Sequence, residues 1–405
     1  MHALRRLLAL PLALCLSALG AAETIDVDAV YAAAARKAAA HDAAHPKRNA
    51  FPSDARGPAW RTVGIKDWVS GFYPGVLWQI AARARTHQWP DAAAWRARAE
   101  GWTAPLDPLG EDTTTHDLGF MVFDSAGRAF AETGDARWKD LVLRAANSLS
   151  KRYVPEARII RSWGKISDKK RCQVIIDNMM NLELLWWAAE NGGPKEAYQT
   201  LVKTHADHAL DLFFRPDGST YHLIELDPTN GALQAKKTAQ GKAAESCWSR
   251  GLTWAIYGFA YLAEVTGEAR YRDKAVAASE YYLAHLPADG VPPADFASTL
   301  TGLEFKDSSC VPIAACGFYR LARLVPDQAL AQRLRQAADD GLRAVTRAPY
   351  YDDTPAQASL LVRGARNYCE DPKNWLTDVS LIWGDYYLLE ALTAYEAARR
   401  APEPR

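Results

Sequence analysis

The chain has 405 residues, 49% of them hydrophobic and 24% charged, which is an ordinary globular composition with enough apolar material for a large core. Its 48 basic and 48 acidic residues cancel, so charge gives no basis for binding nucleic acid or a membrane surface. Its 14 tryptophans and 17 tyrosines are more informative, because flat aromatic faces stack on sugar rings, although most such rings pack in protein cores.

The first 22 residues have the pattern of a secretory signal sequence. Arg5 and Arg6 form a basic start, residues 7–19 are an apolar run, and residues 20–22 are small, as cleavage requires. The run is shorter than the roughly 20 residues of a membrane-spanning helix. We therefore expect an exported, periplasmic protein whose mature chain spans residues 23–405.

Five cysteines follow that segment in a spacing that suits neither disulfides nor metal. They are Cys172, Cys247, Cys310, Cys316 and Cys369. An odd number without close pairs argues against a disulfide framework, and no CxxC pair or Cys/His cluster indicates a zinc site. We expect buried free thiols and no metal or other cofactor.

Amphipathic stretches with a spacing near 3.6 residues predict helices along most of the chain. In chain order they cover residues 30–45, 75–88, 118–133, 182–190, 196–213, 252–266, 269–285, 311–324, 329–346 and 387–400. Short turns that contain Gly or Pro beside Asp or Glu, such as Thr133-Gly134-Asp135, separate neighbouring helices. Turns this short make consecutive helices antiparallel.

Longer irregular segments alternate with these short turns. They cover residues 103–115, 154–176, 215–246, 288–306 and 348–382. Each follows one helix pair and precedes the next, so all should lie at one end of the molecule, where long loops commonly carry function. About twelve helices in six antiparallel pairs predict an all-α (α/α)6 barrel. Without a linker-like stretch, we expect a single domain over residues 23–405 with almost no sheet.

Six short polar clusters each open an apolar helical run. They are Trp68-Val-Ser-Gly-Phe72, His116-Asp117-Leu-Gly-Phe120, Asp177-Asn-Met-Met-Asn181, Trp248-Ser-Arg250-Gly251, Asp307-Ser-Ser309 and Trp383-Gly-Asp-Tyr-Tyr387. If the helices that follow them run parallel inside the barrel, the six clusters meet at one mouth. Scattered polar residues would then form one active site.

Two aspartates in these clusters are candidates for acid–base chemistry. Asp177 follows the apolar run 174–176, and Asp117 follows His116. Each could instead be a helix cap, and Thr115 could replace Asp117 in that role. Two acids at one mouth permit general acid–base work, because burial and mutual repulsion raise the pKa of one of them.

Aromatic residues and one arginine accompany these acids in or beside the long segments. Trp68, Trp163, Trp248 and Trp254 are the tryptophans, and Arg250 lies between the last two. Arg250 could bind the carboxylate of an acidic substrate, or it could form an ion pair within the protein. The sequence leaves both alternatives open.

Five of the six motifs, in order over residues 50–398, resemble glycoside hydrolase family 88, the unsaturated glucuronyl hydrolases. The most specific string is Ile175-Ile-Asp177-Asn-Met-Met-Asn-Leu-Glu183. The resemblance implies an (α/α)6 barrel that removes a 4,5-unsaturated uronic acid from the non-reducing end of lyase-generated oligosaccharides. Water adds across the C4=C5 bond, and the resulting hemiketal opens and expels the aglycone, so one acid–base group is sufficient.

The resemblance also implies roles for individual residues. Asp177 is the acid–base group, and Asp117 holds sugar hydroxyls and tunes it. Residues implied to contact substrate are Trp68, Phe72, Trp163, His222, Gln240, Arg250 and Trp254, and we also expect His116 and Trp248 to bind it. Residues 291–295 and the loop 367–378 depart from the family pattern, which concerns the leaving sugar rather than the reaction.

Two other functions are consistent with the same residues. An unsaturated rhamnogalacturonyl hydrolase would share the barrel and the enol-ether chemistry but would act on pectin fragments. A helical toroid that only binds carbohydrate would keep the aromatics without needing both Asp117 and Asp177. The expected partner in every case is an oligosaccharide. The sequence does not define an oligomeric state.

Overall fold

The computed structural model describes residues 24–400, and twelve helices alternate between an outer and an inner layer. The outer helices are α1 (Val27–Ala44), α3 (Ala92–Thr103), α5 (Ala136–Ser150), α7 (Lys195–Phe213), α9 (Ala269–Ala284) and α11 (Gln328–Val345). The inner helices are α2 (Phe72–Thr86), α4 (π-helical over Gly119–Gly127 and α-helical over Arg128–Thr133), α6 (Asn178–Glu190), α8 (Ser249–Thr266), α10 (Cys310–Leu324) and α12 (Ile382–Arg400).

Burial distinguishes the two layers. The outer helix α11 buries Ala331, Leu334, Ala338, Leu342 and Val345, a single stripe at helical spacing. The inner helices α8 and α10 are buried on nearly every face, since each packs between two inner neighbours and an outer partner. Inner helices contact one another in the order α2, α4, α6, α8, α10 and α12, and α12 returns to α2. The prediction of an (α/α)6 barrel is confirmed.

Turn chemistry explains why consecutive helices fold back. Gly134 and Gly267 end α4 and α8 in the left-handed conformation, at φ of 66° and 72°, which suits glycine. Asp135 caps α5 after the first of these turns, and Asp327 caps α11 after α10; their side chains accept backbone N–H bonds from Arg137 and from Ala329. These short connections define one end of the barrel, which we call the turn end.

The opposite end, the loop end, carries the long segments, and these contain small antiparallel sheets. The strands are β1 (Phe51–Ala55), β2 (Trp60–Val63), β3 (Tyr153–Val154), β4 (Ile159–Ile160), β5 (Cys172–Ile175), β6 (Leu223–Leu226), β7 (Leu233–Lys237), β8 (Gly364–Asn367) and β9 (Leu376–Leu381). They form sheets in the orders β2-β1-β9-β8, β3-β4 and β5-β6-β7.

These sheets correct the expectation of almost no strand. Segments that cover the barrel mouth bury their backbone groups, and pairing between strands satisfies them. β5 pairs with β6, with Cys172 opposite Leu226 and Ile175 opposite Leu223. The strands lie in the connections and leave the helical barrel intact.

Three further expectations concern the ends of the chain and the thiols. The expected signal sequence, residues 1–22, lies outside the described residues. Within residues 24–400, no helix has the length and apolarity needed to cross a membrane. All five cysteines of this range are free thiols; Cys369 is half-buried and the other four are buried.

Candidate active site

The six polar clusters meet as a closed ring at the loop end. Contacts between successive clusters join Gly71 to Phe120, His116 to Asn178, Asp177 to Trp254 next to the fourth cluster, Arg250 to Asp307, Ser309 to Trp383 and Trp383 to Trp68. A Cβ at Gly71 would overlap the carbonyl oxygen of Phe120, so glycine permits the first of these approaches. The predicted convergence on one mouth is confirmed.

Asp177 immediately precedes α6 but does not cap it. Its side chain makes no cap hydrogen bond, and its Oδ2 atom is buried without a hydrogen-bond partner in the described structure. Burial, with a smaller contribution from the nearby Asp117, raises the pKa of Asp177 to about 7, although Arg250 and a hydrogen bond with Trp254 oppose the shift. The carboxyl is therefore protonated in a large fraction of molecules near neutral pH.

Asp117 occupies a more exposed and better satisfied position. Thr115 Oγ1 donates to Asp117 Oδ2 at 2.9 Å and accepts the Asp117 backbone N–H at 3.0 Å. Thr115 thus forms a local turn with Asp117, and neither side chain caps α4, which has no side-chain cap hydrogen bond. The electrostatic influence of Asp117 on the pKa of Asp177 places two carboxyls of different character side by side.

Two asparagines of the Asp177 cluster fix the geometry between the acids. Asn178 donates to the carbonyl oxygen of Ile160 at 2.6 Å, so its Oδ1 accepts from His116 Nδ1 at 3.2 Å. His116 Nε2 then lies 3.2 Å from Asp117 Oδ1. Asn181 Oδ1 accepts the backbone N–H of Phe120 at 3.2 Å. These bonds tie α6 to the start of α4, the two elements that carry the acids.

His222 lies beside Asp177 because β5 and β6 are antiparallel, so the residue that precedes β6 meets the residues that follow β5. The backbone N–H of Ile176 donates to the His222 carbonyl at 3.0 Å. His222 Nδ1 accepts N–H bonds from Ala239 and Gln240, so the ring proton resides on Nε2, 3.8 Å from Asp177 Oδ2. Burial and Arg250 lower the pKa of His222 to about 3, which keeps the ring neutral.

Aromatic rings form the floor of the mouth. Trp68 is half-buried, and its ring lies 4.8 Å from Trp383 and 5.6 Å from Phe120, centroid to centroid. Phe72 and Trp254 are fully buried beneath this layer, and the ring centroid of each lies 5.3 Å from that of Phe120. Trp68 is the most exposed of these rings, and its contact with substrate stays a prediction. The full burial of Phe72 and Trp254 means that, contrary to expectation, neither presents an exposed face at the mouth.

Arg250 forms the internal ion pair that the sequence left open. It is fully buried, and its Nη1 atom binds Asp307 and the carbonyl oxygen of Ala365. Nη2 binds the carbonyl oxygen of Arg366 at 2.8 Å, so only Nε lacks a partner in the described structure. The ion-pair alternative is the one found in the structure, and contact of Arg250 with substrate stays a prediction. Its guanidinium packs over Trp248, 4.7 Å from the ring.

The remaining predicted contacts lie in the connecting segments around the mouth. Trp248 is buried and packs 4.4 Å from the His222 ring. Gln240 is half-buried, and its backbone joins His222 to Tyr368, whose N–H it accepts at 2.9 Å. Trp163 is half-buried and forms a β-bridge with Gln173 of β5. Their contacts with substrate stay predictions.

Sequence reasoning missed Arg366, a half-buried cation on β8 that packs beside Trp68 and Trp383. Nothing in a long loop marks one arginine among many, so only the fold reveals it. In the part of the chain that the structure describes, no group of three His, Cys, Asp or Glu side chains has an arrangement suited to a metal. The site as built places the buried Asp177 carboxyl near the more exposed Asp117, over an aromatic floor.

Comparisons with known proteins point to one family, although no family model matches the chain. It is 34% identical over 334 residues to the unsaturated glucuronyl hydrolase of Formosa agariphila, a match that covers 82% of this chain and 80% of that protein. It is 33% identical over 332 residues to the unsaturated glucuronyl hydrolase of Bacillus sp. (strain GL1), covering 82% and 86%. A solved unsaturated glucuronyl hydrolase specific for heparin superposes with a TM-score of 0.82 at 28% identity, covering 93% and 97%.

Proposed function

The chain belongs to the unsaturated glucuronyl hydrolases, glycoside hydrolase family 88, and on that premise we propose how its own residues perform the reaction. The proposed substrate is a lyase-generated oligosaccharide that carries a 4,5-unsaturated uronic acid at its non-reducing end. The observation that carries the proposal is the Asp177 carboxyl, buried beside Asp117 with one oxygen unpartnered. A raised pKa is what a general acid needs in order to hold its proton at neutral pH.

The chemistry is hydration of an enol ether. Asp177 gives its proton to C4, the C4=C5 π bond supplies the electrons for the new C–H bond, and positive charge develops at C5 with help from the ring oxygen. The Asp177 carboxylate then accepts a proton from water as the water oxygen bonds to C5. The hemiketal opens, C1 becomes a hemiacetal, and loss of the aglycone as an alcohol leaves a carbonyl at C1.

The neighbouring residues divide the supporting work. The Asp117 carboxylate accepts hydrogen bonds from sugar hydroxyls, and its charge holds the proton on Asp177. The His222 Nε2–H faces Asp177 and stays a neutral donor because its other nitrogen is occupied by backbone N–H groups. His222 can therefore orient water or a sugar hydroxyl without competing for the proton.

For the parent polysaccharide, we propose a glycosaminoglycan. The support is the similarity to the enzyme described as specific for heparin, over nearly the whole of both chains. Trp68 supplies the aromatic face that such a sugar ring would cover.

The direct test is spectroscopic. The protein is mixed with the unsaturated disaccharides that lyases release from chondroitin, hyaluronan, heparin, gellan, ulvan and rhamnogalacturonan. We expect the ultraviolet absorption of the enol ether to disappear with at least one glycosaminoglycan product. Turnover of the rhamnogalacturonan product alone would favour the pectin-directed alternative. Binding without loss of absorption in all six would indicate a carbohydrate-binding protein instead.

We also propose that the protein is exported to the periplasm. The support is the basic start at Arg5 and Arg6 followed by the apolar run 7–19. N-terminal sequencing of protein purified from separated periplasmic and cytoplasmic fractions tests this. We expect a periplasmic chain that begins near residue 23, and accumulation of a chain that begins at Met1 would contradict it.

A further inference from the structure

Arg366 is a cation beside the mouth whose side chain is partly exposed. It lies on β8, and 15% of its side chain is exposed, whereas that of Arg250 is fully buried. The guanidinium carbon is 5.8 Å from the ring centroids of both Trp68 and Trp383. Arg366 thus borders the same aromatic floor that the mechanism assigns to the sugar.

The hydrogen bonds of Arg366 leave one edge of its fork available. Nη1 donates to Ser53 Oγ at 2.5 Å and lies 3.4 Å from Asp54 Oδ1. Nη2 is 4.0 Å from Asp67 Oδ1, which is beyond hydrogen-bond distance. Within residues 24–400, the hydrogen bonds that its side chain donates all come from Nη1. An oxyanion at the mouth could accept hydrogen bonds from the Nη2 edge of the guanidinium.

Arg250 holds Arg366 in place rather than competing with it. Nη2 of Arg250 binds the backbone carbonyl oxygen of Arg366, and Nη1 binds that of the preceding Ala365. Asp307 neutralises Arg250 from the other side. The buried ion pair therefore fixes the start of β8, and with it the position of the Arg366 side chain.

The acids near Arg366 do not saturate its charge. Arg61 binds Asp54 through Nε at 2.9 and 3.2 Å, so that carboxylate is shared between two guanidinium groups. Burial lowers the pKa of Arg366, which means that its surroundings do not fully compensate the charge, although Asp67 and Asp54 favour it. A carboxylate ligand would supply the missing compensation, and a guanidinium matches its planar geometry.

We propose that Arg366 binds the carboxylate of the unsaturated uronate, and that Arg250 is a positioning residue that holds the strand presenting it. This inference rests on the proposed function, because it requires an acidic unsaturated sugar at the mouth. The sugar would lie on Trp68 with its carboxylate toward β8 and C4 toward Asp177.

The test compares a charged substrate with its neutral counterpart. One substrate is an unsulfated disaccharide whose only charge is the uronate, and the other is its methyl ester, which keeps the enol ether. We expect Arg366→Gln to raise KM for the acid by about 10- to 100-fold, the range of a hydrogen bond to a charged group, with kcat nearly unchanged. The same variant should leave KM for the ester within about 2-fold. Arg366→Lys keeps the charge but not the planar guanidinium, so its KM for the acid should lie between those of the parent and of Arg366→Gln.

Arg363→Gln is the matched control. Arg363 carries the same charge three residues before Arg366, and it forms an ion pair with Asp378. The KM of this variant for the acid should stay within about 2-fold of the parent value, as expected for an exposed pair. An equal effect of Arg366→Gln on acid and ester, or no effect on either, would overturn the inference, and Arg366→Lys decides it if the Gln variant does not fold. If the unaltered protein consumes neither substrate while it remains folded, the proposed function itself fails and this assignment falls with it.

Discussion

The two ends of the barrel both bury carboxyl groups beside arginines, yet they are built for different purposes. At the loop end burial raises the pKa of Asp177 to about 7, and at the turn end burial raises the pKa of Glu183 to about 7 as well. A cavity of about 990 Å³ at the turn end is lined by Glu183, Asp124 and Glu390. Neither a raised pKa nor a large cavity therefore identifies the active site by itself.

The difference lies in the partners of each carboxyl. Glu390 binds Arg128 and accepts a hydrogen bond from Tyr257 at 2.7 Å. Glu183 lies 3.4 Å from Arg320, which packs over Tyr257 and also binds Glu264. These guanidinium groups are permanent cations, so the turn end is an internal ion network that joins α4, α6, α8, α10 and α12.

At the loop end the arginines bind partners other than Asp177. Arg250 is neutralised by Asp307, and Asp177 faces a neutral His222 and an ionisable Asp117 instead of a guanidinium fork. A carboxyl in that setting can give up a proton and take one back during a reaction. A catalytic acid thus differs from a structural one in its partners, which allow it to release and regain a proton, rather than in having a shifted pKa.

The largest expected effect comes from Asp177→Asn. The amide keeps the size of the acid but has no acidic proton, so kcat should fall by ~10²- to 10⁴-fold or more, with substrate binding largely kept. Single-turnover loss of enol-ether absorption measures this. Near-normal turnover of the variant would remove Asp177 from the role assigned here.

The same variant should be more stable than the parent protein in mild alkali. The native pKa of Asp177 is about 7, above its ordinary 3.8, so the parent loses stability as pH rises from about 4 through 7. Asparagine has no charge to bury. Thermal unfolding at pH 8 and pH 4.5 should therefore show a gain for Asp177→Asn at pH 8 only, and an equal gain at both values would contradict the assigned protonation.

The next effect is that of Asp117→Asn. We expect a loss of about 10²-fold, the lower range for an acid–base group, because Asp117 holds sugar hydroxyls and keeps the proton on Asp177. Removing its charge lowers the pKa of Asp177, so the fall of kcat with rising pH should begin at a lower pH than in the parent. If Asp117→Asn were inactive while Asp177→Asn worked normally, the two roles would have to be exchanged.

A smaller effect is expected at the floor of the mouth. Trp68→Ala should raise KM by about 3- to 10-fold with kcat within about 2-fold, since an aromatic contact contributes about 0.5–1.5 kcal/mol. Trp68→Phe, which retains a flat face, should recover most of the loss. Unchanged kinetics in both variants would mean that Trp68 only packs against Trp383 and Phe120.

The helices and the acids were predictable from sequence because their causes are local. Period and turn residues indicate ten of the twelve helices, whereas α3 and α5 are not among the predicted stretches. The apolar run 174–176 before Asp177 already indicates burial. The roles of Asn178 and Asn181 required the fold, since each acts through a partner on another element about 60 residues away in sequence. The small sheets escaped prediction because residues in long connections pair only when the barrel brings them together.

Arg250 and Arg366 show the same limit for charge. Sequence selected Arg250 because it lies in a motif between two tryptophans, yet its forks bind Asp307 and backbone carbonyls. Arg366 has no motif, and its place beside Trp68 follows from the pairing of β8 with β9. Which arginine keeps hydrogen-bond donors available for a ligand depends on its partners in the folded chain, and these cannot be read from the sequence.

The smallest expected effect on activity, and the sharpest test of the comparison between the two ends, is Glu183→Gln. If the turn end is structural, kcat and KM should stay within about 2-fold of the parent values, as for substitutions remote from the chemistry.

The stability of Glu183→Gln should change instead. Because the native pKa of Glu183 is about 7, above its ordinary 4.5, the parent loses stability as pH rises through this interval, and the variant should lose less between pH 5 and 8. Thermal unfolding across that range measures it, with Glu264→Gln as the control, since Glu264 shares Arg320 but is more exposed. A folded Glu183→Gln variant that lost activity as severely as Asp177→Asn would place the chemistry at the turn end, and the distinction drawn from the partners of each carboxyl would fail.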